Sequence, residues 1–272
     1  MLKAAGGEGK SSSRQPQTGF RHVKARPFRT LSNTMIPRLI HQIFIPDGPD
    51  TIHLNDEIIA NTKSWTDFHP GCEYKRWNLQ EIRALAREFD PRVLSAIDVC
   101  AFPAMKADIA RLMIIFLQGG VYVDLKLRCL APFIDGFRDC KLVLVEHFRM
   151  NVPYRRDKYL NNSFIMAEKQ REFIRRALGD CVCNVEARIG TGVWNTTGGM
   201  VLMRLQDEFL PGEYGRLENG VGVIRESDAY GKLFAVRGGG YNKAGRHWHE
   251  REKVESIYTD CDVRYVWSFP GT

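Results

Sequence analysis

Hydrophobic positions between residues 104 and 127 change period partway along, from helical to extended. Met105, Ile109, Leu112, Met113 and Phe116 recur every three or four residues and mark one buried face of a helix. Asp108 and Arg111, three apart, project together from a neighbouring face. Gly119-Gly120 stops the helix, because glycine takes the left-handed conformation past a helix end without a Cβ clash. Residues 121–126 alternate as a strand does: Val121, Val123 and Leu125 point one way, Tyr122, Asp124 and Lys126 the other. A helix, a tight turn and a strand ending in charge put an acid and two cations near one strand end. In open α/β sheets that is where ligands bind.

The same patterns assign the flanking elements. Residues 36–45 are nearly continuous in apolar character, as expected of a strand covered on both faces, and Pro46-Asp47-Gly48-Pro49 ends it. Residues 51–65 read as a helix, His69-Pro70-Gly71 as a break and 73–77 as a short strand. Asn78 with Glu81 three later forms a capping box for a helix over 79–89, whose Ile82, Leu85, Ala86 and Phe89 face the core. Residues 142–145 read as a buried strand with Glu146 and His147 at its end. The charged, aperiodic stretch 149–159 reads as a mobile loop over the site. Gly238-Gly239-Gly240-Tyr241 lacks the spacing of a dinucleotide-binding turn and reads as a flexible loop.

Composition bounds the function. A chain of 272 residues, 44% hydrophobic, can bury a sizeable core, and one domain over 36–272 accounts for it. Residues 1–35 hold seven Lys and Arg against Glu8 alone, which is six of the net +7 charges. The basic isoelectric point therefore belongs to this tail, and nothing in it supports a nucleic-acid-binding core. Rich in Ser, Gly, Gln and Arg, the tail is expected to be disordered, either solvated or in peripheral contact with a membrane surface. The chain shows no apolar stretch of signal-peptide or membrane-spanning length, so the expected location is cytoplasmic or peripheral to a membrane. Seven scattered cysteines read as free thiols, and Cys181-x-Cys183 lacks the two-residue gap of zinc and redox motifs.

The residues Ala107-Asp108-Ile109-Ala110-Arg111, then Gly119-Gly120-Val121-Tyr122-Val123-Asp124-Leu125-Lys126, keep an unusual order and spacing. They resemble the core of the DXD-containing sugar transferases, the family of the yeast initiating α-1,6-mannosyltransferase, and more distantly the glucosyltransferase domain of the large clostridial toxins. That family typically reads Ser-Asp-x-x-Arg, an apolar run, then Gly-Gly-x-Tyr-x-Asp-x-Asp. Ile40-His41-Gln42-Ile43-Phe44 resembles its Ile-His-Gln-Ile-Trp, and Asn162-Ser163-Phe164 its Asn-x-Phe strand. Thr197-Gly198-Gly199 resembles the Thr-Gly-Pro turn before a further strand over 200–203, and His247-Trp248-His249 the His-x-Trp segment that closes the site. The resemblance runs over roughly 36–250 and departs at four places, the first being Ala107 for serine. Phe44 replaces tryptophan, Gly199 replaces proline, and Lys126 replaces the second aspartate.

The resemblance implies an α/β chain with a GT-A-type, Rossmann-like α/β/α sandwich and a mostly parallel central sheet. The implied reaction moves a sugar from a nucleoside-diphosphate sugar to a hydroxyl of a glycan or other glycoconjugate, with retention at the anomeric carbon. His41, Phe44, Asp108, Arg111 and Tyr122 would bind the donor, with Phe44 stacking on the base. Asp124 and Lys126 would be catalytic, and His247, Trp248 and His249 would close the site. The family's Mn²⁺ or Mg²⁺ would be held by Asp124, with His249 a further ligand; in a strand, His247 and His249 share one face, as metal ligands or as a polar lid. Lys126 leaves three arrangements open: it substitutes for the metal, metal binds through Asp124 and other groups, or the site binds nucleotide sugar without turning it over.

Overall fold

The structure is a computed structural model that describes residues 35–48, 54–146, 159–237 and 247–262. The basic tail, the loop over 149–158 and the glycine run 238–241 lie outside the described residues, as does His147. Among the described residues, seven strands form one sheet in the order β2-β1-β3-β6-β5-β8-β7. They are β1 (Leu39–Ile43), β2 (Glu73–Trp77), β3 (Gly120–Val123), β5 (Leu142–Glu146), β6 (Leu160–Ala167), β7 (Leu217–Glu218) and β8 (Val221–Ile224). A separate pair joins β4 (Leu127–Cys129) to β9 (Phe234–Val236). Strands β2, β1, β3, β5 and β8 share one direction, while β6 and β7 oppose it. The sheet is therefore mostly parallel, with one reversed strand inside it.

Alternation divides the core between the two faces. Tyr122, Leu142, Leu144 and Ile165 pack with α2 (Leu79–Phe89), α3 (Pro91–Val99), α4 (Pro103–Gln118), α5 (Glu172–Glu186), α6 (Val193–Thr196) and α7 (Gly199–Arg204). Val121, Val123, Val143, Val145 and Phe164 face Trp65 of α1 (Asp56–Phe68) and the β4–β9 pair. The short α8 (Gln206–Phe209), α9 (Glu226–Ala229) and α10 (Trp248–Arg251) complete the described chain. The expected capping box at Asn78 and Glu81 is present, and all seven cysteines are free thiols.

Three expectations change. The strand starting at Gly120 ends at Val123 and gives way to a turn from Asp124 to Leu127, whose Leu127 N–H donates to the Asp124 carbonyl at 2.9 Å. Residues 199–204 are helical, whereas a strand was expected over 200–203; a four-residue apolar run is too short to distinguish the two. His247 is the N-cap of α10, so 247–249 are not a strand and the two histidines do not share a strand face. Among the described residues no helix is long and apolar enough to cross a membrane.

Candidate functional site

Helix α4 carries the first part of the site. It is buried from Asp108 to Ile115, so Asp108 and Arg111 lie inside the protein, 6% and 5% exposed, and not on a surface face. Arg111 Nη2 is 3.0 Å from Asp108 Oδ1 and 3.5 Å from Asp124 Oδ1. Arg111 Nη1 donates to the Asn162 carbonyl at 2.7 Å, and its guanidinium lies 4.6 Å over the Tyr122 ring. Asp108 accepts from Asn162 Nδ2 at 2.8 Å and from Thr197 Oγ1 at 3.0 Å. Burial pushes the Asp108 carboxyl up to about 6, although Arg111, Thr197 and Asn162 each favour the ionised form. Burial also works against charge on Arg111, but Tyr122, Asp124 and Asp108 together hold its pKa above the ordinary value. Taking such ions out of water costs several kcal/mol each, so the cluster is poor scaffolding and reads as a binding feature.

Strand β3 delivers the second part. Gly119 and Gly120 take φ of +65° and +96°, and a Cβ on Gly120 would sit 2.4 Å from the Leu39 carbonyl oxygen, so glycine alone admits this approach to β1. Tyr122, 2% exposed, donates from its hydroxyl to Asp124 Oδ1 at 2.7 Å; it orients the carboxylate and presents no face to a ligand. The Asp124 N–H donates to the Ser163 carbonyl at 2.8 Å, which ties the strand end to β6. The turn after it is held from α1. Asn61, fully buried, donates to the carbonyls of Leu125 and Arg237, at 3.1 and 2.9 Å. Arg237 N–H in turn donates to the Lys126 carbonyl at 2.7 Å. On this turn the Lys126 ammonium stands 3.6 Å from Asp124 Oδ2 with its side chain 39% exposed.

The other expected residues divide. His41 is fully buried: Trp77 Nε1–H donates to its Nδ1 at 3.1 Å, which leaves Nε2 to donate to the Gly119 carbonyl at 3.0 Å. Burial lowers its pKa to about 4, so it is a neutral brace between β1, β2 and the glycine turn, with both nitrogens committed. Phe44 comes directly after β1 and is half-buried outside both core clusters, at the same edge of the sheet as Asp124. Burial lowers the pKa of His247, and the Lys126 ammonium adds to that shift. His249 Nδ1 is 3.0 Å from Glu252 Oε1, whose other oxygen accepts from Val193 N–H at 2.8 Å. His249 is thus engaged through Nδ1 with a buried carboxylate. Arg251 pairs with Asp47, so this segment bridges the loop after β1 and α6. Asn61, Asn162 and Thr197 were not singled out from sequence as site residues. Their signal was weak: Asn161-Asn162-Ser163 is a polar triplet opening an otherwise apolar strand, and Asn61 is a polar residue on a helix face that turns out to be buried.

These groups do not fit a divalent ion. Among the described residues no three His, Cys, Asp or Glu side chains gather as ligands. Both Asp124 oxygens are engaged, Oδ1 by Tyr122 and Arg111 and Oδ2 by Lys126. A cation near that carboxylate would meet two positive charges, each repelling a unit charge by about 4 kcal/mol at 4 Å and an effective dielectric of 20.

Residues 55–143 match the family described as glycosyltransferase sugar-binding region containing DXD motif. Inositol phosphoceramide mannosyltransferase 3 of Schizosaccharomyces pombe is 30% identical over 94 residues, 35% of this chain and 25% of that protein. Uncharacterized glycosyltransferase L373 of Acanthamoeba polyphaga mimivirus is 33% identical over 96 residues, 35% of this chain and 37% of that protein. The matched segments thus span well under half the length of these curated relatives. PaToxG Glycosyltransferase, a solved structure, superposes with a TM-score of 0.50 over 64% of this chain and 70% of its own, at 16% identity, a likeness of fold. Residues 55–143, which hold Asp108, Arg111, Asp124 and Lys126, thus match the DXD-containing sugar-transferase family, on a chain with a GT-A-type α/β fold.

Proposed function

We propose that this protein is a glycosyltransferase that takes a sugar from a nucleoside-diphosphate sugar and passes it to an acceptor hydroxyl on a glycan or other glycoconjugate. The observation that carries the reading is the buried Asp108–Arg111–Asp124 cluster at the carboxyl end of β3, inside the segment that matches the family. Asp108 and Arg111 hold sugar hydroxyls, Phe44 stacks on the base, and Trp248 with its flanking histidines covers the donor. In the reaction the bond from the anomeric carbon to the diphosphate breaks and its electron pair stays on the phosphate oxygen. The acceptor oxygen bonds to that carbon with retention, and its proton ends on the departing diphosphate. Negative charge grows on the diphosphate during this step, and fixed cations in a shielded cleft lower its cost.

The competing reading, a nucleotide-sugar binder without turnover, is motivated by Lys126 in the second aspartate position. A screen of nucleoside-diphosphate hexoses for hydrolysis and for transfer to sugar and polyol acceptors separates the two. Turnover is expected for at least one donor, and Asp124→Asn, which keeps an acceptor for the Tyr122 hydroxyl, should abolish it while leaving the melting temperature nearly unchanged. Wild-type turnover in that variant would remove the proposed site. Donor binding without turnover in the natural protein would establish the competing reading.

A further inference from the structure

A nucleoside diphosphate brings at least two negative charges, and at the strand end that would receive it the Asp124 carboxylate is flanked by two cations. Arg111 lies 3.5 Å from Asp124 on one side and Lys126 lies 3.6 Å on the other. Arg111 is buried and committed to Asp108 and the Asn162 carbonyl. Lys126 differs. Its side chain is over a third exposed, and its backbone is pinned at two neighbouring carbonyls, by Asn61 to Leu125 and by Arg237 to Lys126 itself. The ammonium therefore starts from a preset position, yet can leave Asp124 for a stronger anion.

We propose that the Lys126 ammonium is the group that neutralises the donor diphosphate, and that a nucleoside diphosphate binds here without a divalent cation. The inference rests on the glycosyltransferase reading and specifies how that site holds its ligand. Displacement of Lys126 from Asp124 exchanges a carboxylate partner for a phosphate. Asp124 stays oriented by Tyr122 and Arg111.

Calorimetric titration of the full chain with UDP and with GDP, once in EDTA and once in Mn²⁺, tests this. At least one nucleotide should bind in EDTA, with an affinity that Mn²⁺ changes by less than about threefold. Lys126→Met should weaken that binding by about tenfold or more, and Lys126→Arg should recover part of it, since the guanidinium restores the charge at a different place. Lys126→Asp creates a carboxylate pair with Asp124 and should make binding depend on Mn²⁺. Binding by the natural protein in Mn²⁺ but not in EDTA would overturn the inference and leave the glycosyltransferase reading standing. So would unchanged affinity in Lys126→Met, with circular dichroism showing the variant folded. Absence of binding by either nucleotide and by their hexose conjugates, in both conditions, would overturn that reading and the inference with it.

Discussion

Protonation of Asp108 sets an acid limit on the site. Its carboxyl holds a proton up to about pH 6 because it is buried, even with Arg111, Thr197 and Asn162 around it. Once protonated it can no longer accept from all three donors, and its attraction for Arg111 is gone. The value of kcat/KM should fall as pH drops through about 6, and a profile flat to pH 5 would show that sugar recognition does not pass through this carboxylate. Stability moves the other way. The folded pKa lies above the ordinary 3.8, so the folded chain binds the proton more tightly, and the stability from this group is lost as pH rises from about 4 to 6. Neutral pH is thus where Asp108 is useful and where it weakens the fold. The Asp108 and Arg111 positions were legible in the sequence because spacing named them. Their burial was not, since a helix apolar on one stripe gives no sign that its charged stripe is also covered, here by Asn162 and Thr197. His41 shows the converse: the motif suggested a donor contact, and the indole of Trp77 claims its ring instead.

Among elements, the glycine turn is the most demanding. Gly120→Ala should cost about 3 kcal/mol or more, read as a lowered denaturant midpoint, because the new Cβ meets the Leu39 carbonyl at 2.4 Å in a backbone already at positive φ. A midpoint within error of the natural protein would mean that β1 and β3 can separate at little cost. Elements with strong local signals were readable from sequence, β2 from its flanking break and α2 from its capping box, while β6 was placed by its resemblance to the family's Asn-x-Phe strand. The misreadings have local causes. The alternation Tyr122, Asp124, Lys126 continues past the point where β3 stops, since a turn and a strand can share a short pattern. The run 200–203 is too short to show a period. Gly199 packs under the Trp194 ring, where a Cβ would lie 2.4 Å from the ring, so its need for glycine is tertiary and silent in sequence.

At the scale of the molecule, charge and fold are separable. Six of the seven net positive charges lie in residues 1–35, and the compact unit carrying the described site runs from Asn33 to Thr272. A chain beginning at Asn33 should keep its melting temperature and its donor affinity; a fall in either would assign residues 1–32 a part in the core. The cluster around Asp108 has a further consequence. Its partners Asn162 and Thr197 are 54 and 89 residues away along the chain. Such contacts close late, after the loops between them have lost their entropy. A half-folded chain therefore carries every letter of the motif and no pocket. A donor that binds the finished state alone would pull the folding equilibrium toward it by mass action, and would act on newly made copies as a chemical chaperone.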